Sequence, residues 1–452
     1  MLDILLVNGR YPDFRAGEMR SGNIGIRDGK IDIITEGEPK AAQVIDVSGR
    51  VVSPGFIDIH MHEEDFAGEG LNYCIADMML RMGVTTAVGG NCGIQHQTLK
   101  EFKSGIQKLG GSPVNYQMLA GYNQCRYRLG TGRYAAATQE ERKRIREMLA
   151  AELEEGAIGI SFGIEYDPGM TTDEILYAAK VTENPGHLIA AHYRSDNDKA
   201  LDAIGEMIQV TDAICSKFQI SHLSSCAAMG QMTDALNLIH GAMDRNPRLN
   251  YDTYPYDAFS THMGSSVFED GCLEAWHRSY DSILLTEEPY LYQRCTKEMF
   301  EDARENYPDM LAVAFVMNEE EIRQAVADPY GMIASDAIIN QGAGHPRAAG
   351  TFPRVLGKYV RQEHALSLID ALRKISFTPA ERLGLRNKGR VEEGADADLT
   401  VFDPETIIDK ATFTDGGLPP AGIDYVFVNG GIAARGTEIV DGRRGGFIPY
   451  HD

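Results

Sequence analysis

Between residues 56 and 389 the sequence alternates short apolar runs with amphipathic helical stretches, and this alternation is the strongest constraint on the fold. The apolar runs are "TTAVGGN", "AIGISFG", "GHLIAAHYR", "KFQISHL", "RLNYDTYPY" and "GMIASDA". Stretches with helical apolar spacing and an acidic start, such as "TQEERKRIREMLAAELEEG", lie between them. Repeated strand-then-helix units of this length predict an α/β fold, a TIM-like (β/α)8 barrel with its functional residues at the carboxyl ends of the strands.

Both ends of the chain have a different pattern, in which short strand-like runs are separated by turns. Residues 1–55 include "DILLVNGR" and "VIDVSGRVVSP", and residues 390–452 include "DYVFVNGGIAARG", with Asn-Gly at several bends. Strand-rich ends around a helix-rich middle predict a small β-sandwich domain built from both termini, with residues 56–389 as the barrel. Residues 262–330 have few clear strands, and we expect them to form an insertion that acts as a lid over the barrel mouth.

Charge and composition limit the classes of partner. The chain has 452 residues and a formal net charge of -23, which repels nucleic-acid phosphates and anionic membrane surfaces. There is no apolar run of about 18 residues and no basic amino-terminal region, so we expect no membrane span, no signal peptide and a cytoplasmic location. The 7 cysteines have no CxxC spacing, which argues against a disulfide framework. A small molecule is therefore the expected partner, and the sequence is compatible with an oligomer.

Residues with metal-binding side chains end several of the apolar runs. His60 and His62 are two residues apart after "GFID", and side chains at i and i+2 of a strand point to the same face. The candidate ligands are His60, His62, Cys92, His192, His222 and Asp336. Taken singly, each has an ordinary explanation, as a surface pair, a buried thiol or a hydrogen-bonded core histidine. Six of them at strand ends predict a metal site, and a thiolate at Cys92 would be a soft zinc ligand.

Nine motifs along the chain together carry a family resemblance. They are "PGFIDIHMHEED", "GGNCG", "GAIGISFGIEYDPG", "AAHYR", "ISHL", "YDTYPY", "SD" at 335 and 336, "HPRAAGTFPRVLGKYV" and "GRVEEGADADLTVFDP". The chain resembles the amidohydrolase superfamily and, within it, the D-aminoacylases (N-acyl-D-amino-acid deacylases), from about residue 2 to residue 436. The HxH motif is shared across the superfamily, whereas "NCG" with GxSxGxxYxPG and HPRxxGTFPR is more specific to the deacylases.

The resemblance implies a zinc-dependent hydrolase that cleaves a linear amide bond, releasing a carboxylate and a free D-amino acid from an N-acyl-D-amino acid. Cys92, His192 and His222 would hold the tighter zinc ion. His60, His62 and Asp336 would surround a second, weaker position, and Asp336 would also be the general base. The chemistry is consistent with this assignment, because zinc lowers the pKa of bound water to about 7 and one carboxylate can carry the proton to the departing amine.

An N-acyl amino acid also presents a carboxylate, so we expect a cation near the metal. Arg194, two residues after His192, is the first candidate, and Arg347 is the next. The predicted substrate-binding residues are Arg194, Tyr166, Tyr256, Ser260 and Arg347. The two tyrosines match pocket tyrosines of the family, but packing on the barrel rim explains them equally well. Related deacylases often have a lysine where this chain has Ser224, which leaves the charge arrangement around the substrate open.

Other activities remain open from the sequence. A cyclic-amide hydrolase of the hydantoinase or dihydropyrimidinase type usually bridges two metals with a carbamylated lysine at a strand end. No lysine between His62 and His192 ends an apolar run, and Cys92 takes that place. A deaminase of the same superfamily would not need the strand-end cysteine. A binding protein that has lost catalysis would not need all six ligands.

Overall fold

The computed structural model of the protein describes residues 1–67, 70–340 and 342–450. Its strands are β1 (Leu2–Asp13), β2 (Glu18–Arg27), β3 (Lys30–Thr35), β4 (Ala41–Asp46), β5 (Val51–Pro54), β6 (Phe56–Asp58), β7 (Val84–Gly89), β8 (Asn115–Met118), β9 (Ala120–Gly121), β10 (Gly159–Gly163), β11 (Leu188–His192), β12 (Lys217–Ile220), β13 (Leu249–Thr253), β14 (Phe259–His262), β15 (Ile283–Leu285), β16 (Gln293–Arg294), β17 (Leu311–Ala314), β18 (Met332–Ile333), β19 (Ile339–Asn340), β20 (Ala343–Gly344), β21 (Leu399–Phe402), β22 (Ile423–Val428), β23 (Gly431–Arg435) and β24 (Glu438–Ile439).

The helices lie mostly between the strands of the middle region. They are α1 (Ile75–Arg81), α2 (Leu99–Lys108), α3 (Tyr122–Leu129), α4 (Gln139–Glu154), α5 (Thr172–Ala179), α6 (Ala200–Ala213), α7 (Leu223–Ala227), α8 (Met232–Met243), α9 (Cys272–Ala275), α10 (Lys297–Asn306), α11 (Glu319–Ala327), α12 (Arg347–Arg354), α13 (Leu368–Leu372) and α14 (Thr378–Leu383), with π-helical segments at Val355–Gln362 and Arg373–Phe377. In the described ranges, no helix has both the length and the apolar character that a membrane crossing requires.

Strands from both ends of the chain pair in one nine-stranded sheet. Its order is β24-β23-β22-β21-β5-β1-β2-β3, and β4 pairs with β1 in parallel. β5 and β21 join the two ends, with Val52 opposite Val401 in antiparallel register. Many apolar residues of these strands form a buried cluster that includes Ile24, Ile26 and Leu399. The pairing of the two termini agrees with the sequence pattern, while the sandwich arrangement and the separate domain remain predictions. The last two residues of that predicted domain, 451 and 452, lie outside the described residues.

The middle of the chain contains two parallel sheets and gives the protein a mixed α/β fold. One sheet has the order β6-β7-β8, and the other has the order β18-β13-β12-β11-β10-β9. A few backbone contacts join their edges: Met61 bridges Ala337 in parallel, and the Ile158 N–H donates to the Met118 carbonyl at 2.9 Å. Among the described residues the hydrogen-bonded sheets are not closed into a ring, so the predicted closed barrel remains a prediction at this point.

The segment predicted as an insertion contains most of a four-stranded antiparallel sheet with the order β14-β17-β15-β16. The sequence pattern did not reveal this sheet because β15 and β16 have only 3 and 2 residues, too few for an alternating signal. Trp276 Nε1 of this segment donates to Asp196 Oδ2 at 2.9 Å, and the Ser266 hydroxyl donates to the Glu165 carbonyl. These contacts attach the segment to the loops that follow β10 and β11.

A buried ion-pair network fixes the loops near β9 and β10. Arg126 of α3 pairs with Asp167, with Nε 3.2 Å from Oδ2, and it also pairs with Glu174 of α5. All three side chains are fully buried. Glu174 accepts a further hydrogen bond from the Tyr122 hydroxyl at 2.7 Å. A buried charge destabilises the folded protein unless an opposite charge compensates it, so each member of this network needs its partner.

We expect Arg126→Met to lower the free energy of unfolding by about 3–5 kcal/mol, because it leaves two buried carboxylates without their cation. Urea unfolding followed by circular dichroism measures this change. Arg144→Met is the matched control, since Arg144 is an exposed arginine of α4, and its unfolding midpoint should equal that of the unmodified protein. Equal midpoints for the two variants would contradict the structural role of Arg126.

Candidate metal centre

The six candidate ligands lie at or just after the carboxyl ends of parallel strands. His60 and His62 follow β6, Cys92 follows β7, and His192 is the last residue of β11. His222 follows β12 and Asp336 follows β18. Because the carboxyl ends of parallel strands meet at one edge of a sheet, residues far apart in the sequence are brought together here.

The ligand atoms form two groups that share one residue. His60, His62, Cys92 and Asp336 form the first group, in which the ligand atoms lie within 4.8 Å of one another. Cys92, His192 and His222 form the second group, by the same measure. The structure therefore brings together all six residues that the sequence singled out, with Cys92 between the two groups.

The distances between these atoms suit zinc. Cys92 Sγ lies 3.4 Å from His60 Nε2 and 3.5 Å from His222 Nε2. Asp336 Oδ1 lies 3.4 Å from Nε2 of His60 and 3.4 Å from Nε2 of His62. A tetrahedral zinc ion with ordinary Zn–N and Zn–S bond lengths separates its ligand atoms by roughly 3.3–3.6 Å.

His192 gives an independent indication that the site fits a metal. Its Nδ1 atom is buried and has no hydrogen-bond partner among the described residues. Its other ring nitrogen, Nε2, lies 2.8 Å from Glu165 Oε2. A carboxylate on one ring nitrogen and a metal on the other is the common arrangement of metal-binding histidines. The donor set of one thiolate with imidazoles is the set that zinc prefers.

Three of the candidate ligands have a backbone conformation that non-glycine residues rarely adopt. The φ angles are 55° at Cys92, 35° at His222 and 51° at Asp336. Such residues cost of order 1–3 kcal/mol each and persist only where the surrounding structure imposes them, which is typical of functional sites. Next to Cys92, a Cβ atom on Gly93 would lie 1.8 Å from Asn123 Oδ1, so the "GGNCG" turn requires glycine there.

Two buried carboxylates that we did not predict hold the ligand loops. Asp252 Oδ1 accepts the His222 N–H at 2.7 Å and lies 3.3 Å from His60 Nδ1. Asp58 Oδ1 accepts the backbone N–H of His60 at 3.2 Å and that of Ser335 at 3.0 Å. The sequence pattern could have indicated both residues. Asp252 lies near the end of an apolar run, and Asp58 precedes His60 by two residues.

The charges of this cluster depend on each other. Burial alone would raise the pKa of the Cys92 thiol, but His60 and His222 together lower that pKa well below its ordinary range, which favours the thiolate. Burial likewise would raise the pKa of Asp336, whereas Arg347 and the neighbouring histidines lower that pKa well below its ordinary range. Arg347 Nη1 lies 2.9 Å from Asp336 Oδ2, which accounts for the largest of these favourable effects.

A narrow cavity of about 20 Å³ reaches the ligands and is lined by two more of the predicted residues. Tyr166 and Ser260 line it together with His192, His222 and Asp336. The Ser260 hydroxyl is buried and has no hydrogen-bond partner within the described ranges. Arg347 lies just behind this wall, where its Nη2 donates to the Ser260 carbonyl at 3.2 Å. A second, wider cleft of about 800 Å³ is lined by His62.

The structure does not bring Arg194 and Tyr256 to this cavity, so far as the described residues define its lining. The Arg194 guanidinium is engaged by Glu206 through two contacts of 2.7 Å each. The Tyr256 hydroxyl donates to Asp409 at 3.3 Å. A carboxylate of α6 thus holds the Arg194 side chain, and the predicted role of Arg194 in binding the substrate stays a prediction.

The same cavity contains two acidic residues that the sequence analysis missed. Glu165 follows β10 and holds His192, as described above, and Asp196 follows β11. Burial and the neighbouring Glu165 raise the pKa of Asp196 to about 7, although its hydrogen bond with Trp276 acts in the opposite direction. No lysine or arginine lines this cavity among the residues that the structure describes.

Comparisons with known proteins agree with this fold and site. The family model described as "Amidohydrolase family" matches residues 316–433. A D-aminoacylase from Alcaligenes xylosoxydans xylosoxydans is 31% identical over 457 residues, which cover 95% of this chain and 93% of that protein. An N-acyl-D-glutamate deacylase from the same organism is 30% identical over 461 residues, with coverage of 95% and 93%.

Solved structures give the same result. A crystal structure of D-aminoacylase superimposes with a TM-score of 0.90 at 29% identity and covers 100% of both chains. An N-acyl-D-glutamate deacylase from Bordetella bronchiseptica, complexed with zinc and a phosphonate inhibitor, has a TM-score of 0.88 at 28% identity, with coverage of 99% of this chain and 100% of that one. The fold and the ligand cluster define a metal-dependent amidohydrolase, an enzyme that hydrolyses C–N bonds other than peptide bonds. Within that class, the chain belongs to the D-aminoacylase family.

We expect Cys92→Ala to abolish tight zinc binding, because both ligand groups lose the residue they share. His62→Ala should retain the zinc held by the other group, since Cys92, His192 and His222 are unchanged. Metal analysis of the purified proteins measures both outcomes. Cys125→Ala, which replaces a buried cysteine outside both groups, is the control. Full zinc content in Cys92→Ala would refute the shared-ligand assignment.

Proposed function

We propose that the protein hydrolyses the amide bond of N-acyl-D-amino acids, releasing a carboxylate and the free D-amino acid, with zinc as its cofactor. The observation that carries this proposal is the pair of ligand groups joined by Cys92 at the strand ends. Similarity to D-aminoacylase and N-acyl-D-glutamate deacylase over 95% of the chain supports the substrate class. A zinc-bound deacylase of the same fold supports the metal.

We also propose the architecture that this function requires. β6, β7, β8 with β9, β10, β11, β12, β13 and β18 would close into a (β/α)8 barrel within residues 56–389. The Asp336 N–H donates to the His60 carbonyl at 2.8 Å beside the Met61–Ala337 bridge, and these contacts between the last and first strands support closure. Residues 1–55 and 390–452 would form the small β-sandwich domain, and residues 262–330 the lid.

The ligands divide naturally between two metal positions. Cys92, His192 and His222 would hold the tighter zinc, because a thiolate and two imidazoles form a soft and buried donor set. His60, His62 and Asp336, together with Cys92, would form the second and weaker position. Zinc held here supplies Lewis-acid activation of the carbonyl and of a water molecule near neutral pH.

Asp336 would act as the general base and then as the general acid. Its environment keeps it a carboxylate at neutral pH, since Arg347 and the neighbouring histidines favour the charged form. One of its oxygens, Oδ1, faces His60 and His62, and the other faces Arg347. A carboxylate held in this way can accept a proton from the attacking water and deliver it to the nitrogen of the departing amine.

The scissile amide of the substrate would lie beside these ligands, next to the wall that Tyr166 and Ser260 form. Arg347 is the cation nearest to Asp336 and would attract the substrate carboxylate, while the unpartnered Ser260 hydroxyl would hydrogen-bond to it. Tyr166, whose ring centroid lies 4.5 Å from that of His192, would donate to the scissile carbonyl. Arg194 and Tyr256 have no part in this arrangement, because their side chains are engaged elsewhere.

The partner and location follow from the same features. A net charge of -23 and a narrow cavity favour a small-molecule substrate over nucleic acid or membrane. We propose a cytoplasmic location because the cysteines lack the spacing of a disulfide framework. Hydrolysis of a cyclic amide is less well supported. The residue shared by the two ligand groups is Cys92, and among the described residues neither group includes a lysine.

A panel of N-acetyl and N-formyl D- and L-amino acids, with hydantoins and dipeptides as controls, tests the proposed function. We expect the zinc-loaded protein to release free amino acid from the linear D-substrates, with little release from the L-enantiomers. Ring opening of hydantoins would favour the cyclic-amide hydrolase instead. Release of ammonia without free amino acid would favour a deaminase.

We expect Asp336→Asn to lower kcat by about 10²–10⁴-fold or more, because it removes the proton-transferring group while preserving the side-chain shape. Zinc bound through Cys92, His192 and His222 should remain. Steady-state kinetics and metal analysis on the same preparation measure both effects, with Asp234→Asn on the exposed face of α8 as the control. Near-normal turnover would eliminate Asp336 as the base, and loss of all zinc would mean that the two metal positions are reversed.

A further inference from the structure

We propose that zinc binding is coupled to the docking of the insertion segment, residues 262–330, through Glu165, a positioning residue for the zinc ligand His192. The segment holds the loop that carries Glu165, and the Glu165 carboxylate holds the His192 ring. This inference rests on the zinc site of the proposed function and adds a link between that site and the segment beside it.

The first link joins Glu165 to the metal ligand. Glu165 Oε2 lies 2.8 Å from His192 Nε2, and the two side chains are 15% and 5% exposed. A carboxylate at this distance accepts the Nε2–H of the ring, which leaves the lone pair of Nδ1 for the metal. Nδ1 is buried and has no hydrogen-bond partner among the described residues. The carboxylate of Glu165 therefore fixes both the orientation and the tautomer of this ligand.

The second link is the position of the loop that carries Glu165. The Glu165 N–H donates to the Tyr193 carbonyl at 3.0 Å, so the loop continues the pairing of β10 with β11 beyond the ends of both strands. The same loop packs against the turn that carries Cys92, because a Cβ atom on Gly163 would lie 2.2 Å from the Cys92 carbonyl oxygen. A shift of this loop would therefore displace Glu165 from the ring that it orients.

The third link fastens this loop to the insertion segment. The half-buried Ser266 of the segment donates its hydroxyl hydrogen to the Glu165 carbonyl. Trp276 Nε1 of the same segment donates to Asp196 Oδ2 at 2.9 Å, on the loop that follows His192. The segment thus holds the loops on both sides of the contact between Glu165 and His192, and its docking restricts the movement of both residues.

Reciprocal coupling follows from these three links. If the docked segment favours the position of Glu165 that supports zinc binding, bound zinc must favour the docked segment by the same factor. Loss of the outer partner of a metal-binding histidine typically weakens metal binding by about 10–100-fold, which sets the scale for Glu165. The Ser266 contact is one hydrogen bond, so its loss should weaken zinc binding by about 2–10-fold.

Zinc affinity, measured by competition with a chromophoric chelator, tests the first link. We expect Glu165→Gln to weaken zinc binding by about 10–100-fold, while the metal-free variant keeps the unfolding midpoint of the unmodified metal-free protein. A merely structural role would instead lower that midpoint and leave the affinity unchanged. Glu183→Gln, at an exposed glutamate, is the matched control and should keep the affinity. An unchanged affinity in Glu165→Gln would refute the positioning role.

Ser266→Ala tests the link to the segment and leaves every metal ligand and Glu165 itself in place. We expect zinc binding to weaken by about 2–10-fold, because the hydroxyl that holds the Glu165 carbonyl is removed. Ser282→Ala is the matched control, since the Ser282 hydroxyl donates to the Ser279 carbonyl of the same segment at 2.8 Å. Equal zinc affinities for the two serine variants would refute the coupling.

Trp276 reports the reciprocal effect, because it is the only tryptophan of the chain. Its side chain is buried in the docked segment, so acrylamide should quench its fluorescence weakly in the zinc-loaded protein. We expect removal of zinc to raise the quenching constant and renewed addition of zinc to restore it, because the segment docks less firmly without the metal. Identical quenching constants with and without zinc would contradict the coupling.

These measurements need no substrate, so their failure is distinct from a failure of the proposed function. If the protein binds zinc tightly and neither variants nor zinc removal have the expected effects, the coupling is refuted while the deacylase function stands. A protein without affinity for zinc would overturn both the zinc-dependent function and the inference that rests on it.

Discussion

The buried contact between the Cys92 sulfur and the surrounding imidazoles is the interaction on which the rest of the site depends. Cys92 Sγ lies 3.4 Å from His60 and 3.5 Å from His222, and it belongs to both ligand groups. Burial opposes a charged thiolate, so the charge is stable only with these imidazoles in place. The loops that carry the ligands must therefore hold their positions accurately, because a small displacement would leave a buried charge without a partner.

The structure provides this accuracy through strained backbone and buried carboxylates. Cys92, His222 and Asp336 all have positive φ angles, which each loop adopts only because neighbouring groups require it. Gly93 allows the turn beside Cys92 to approach Asn123 closely, and Asp252 fixes the backbone of His222. Each of these supports comes from a different strand or loop. The metal centre therefore depends on several parallel strands and their loops together, and no single sequence motif forms it.

Electrostatics link the centre to the surrounding cavity. The chain as a whole is strongly acidic, yet its ligand cluster is rich in imidazoles, and a single buried arginine, Arg347, neutralises Asp336. Asp196 of the cavity accepts a hydrogen bond from Trp276, and the Glu165 carboxylate lies 2.8 Å from His192 Nε2. The carboxylates around the ligand cluster are thus each held by a donor from another element of the fold.

The sequence by itself determined which chemical groups are present and that they meet at one place. All six candidate ligands could be predicted because parallel strands bring their carboxyl ends together, whatever the loops between them do. The same rule would have identified Asp252, and the two-residue period of a strand would have identified Asp58. Only the tertiary structure decided the pairings: that Cys92 is shared, that Arg347 meets Asp336, and that Glu206 takes Arg194. The reason is physical, since the partner of a side chain depends on strand register and loop conformation, which arise from contacts between residues far apart in the sequence.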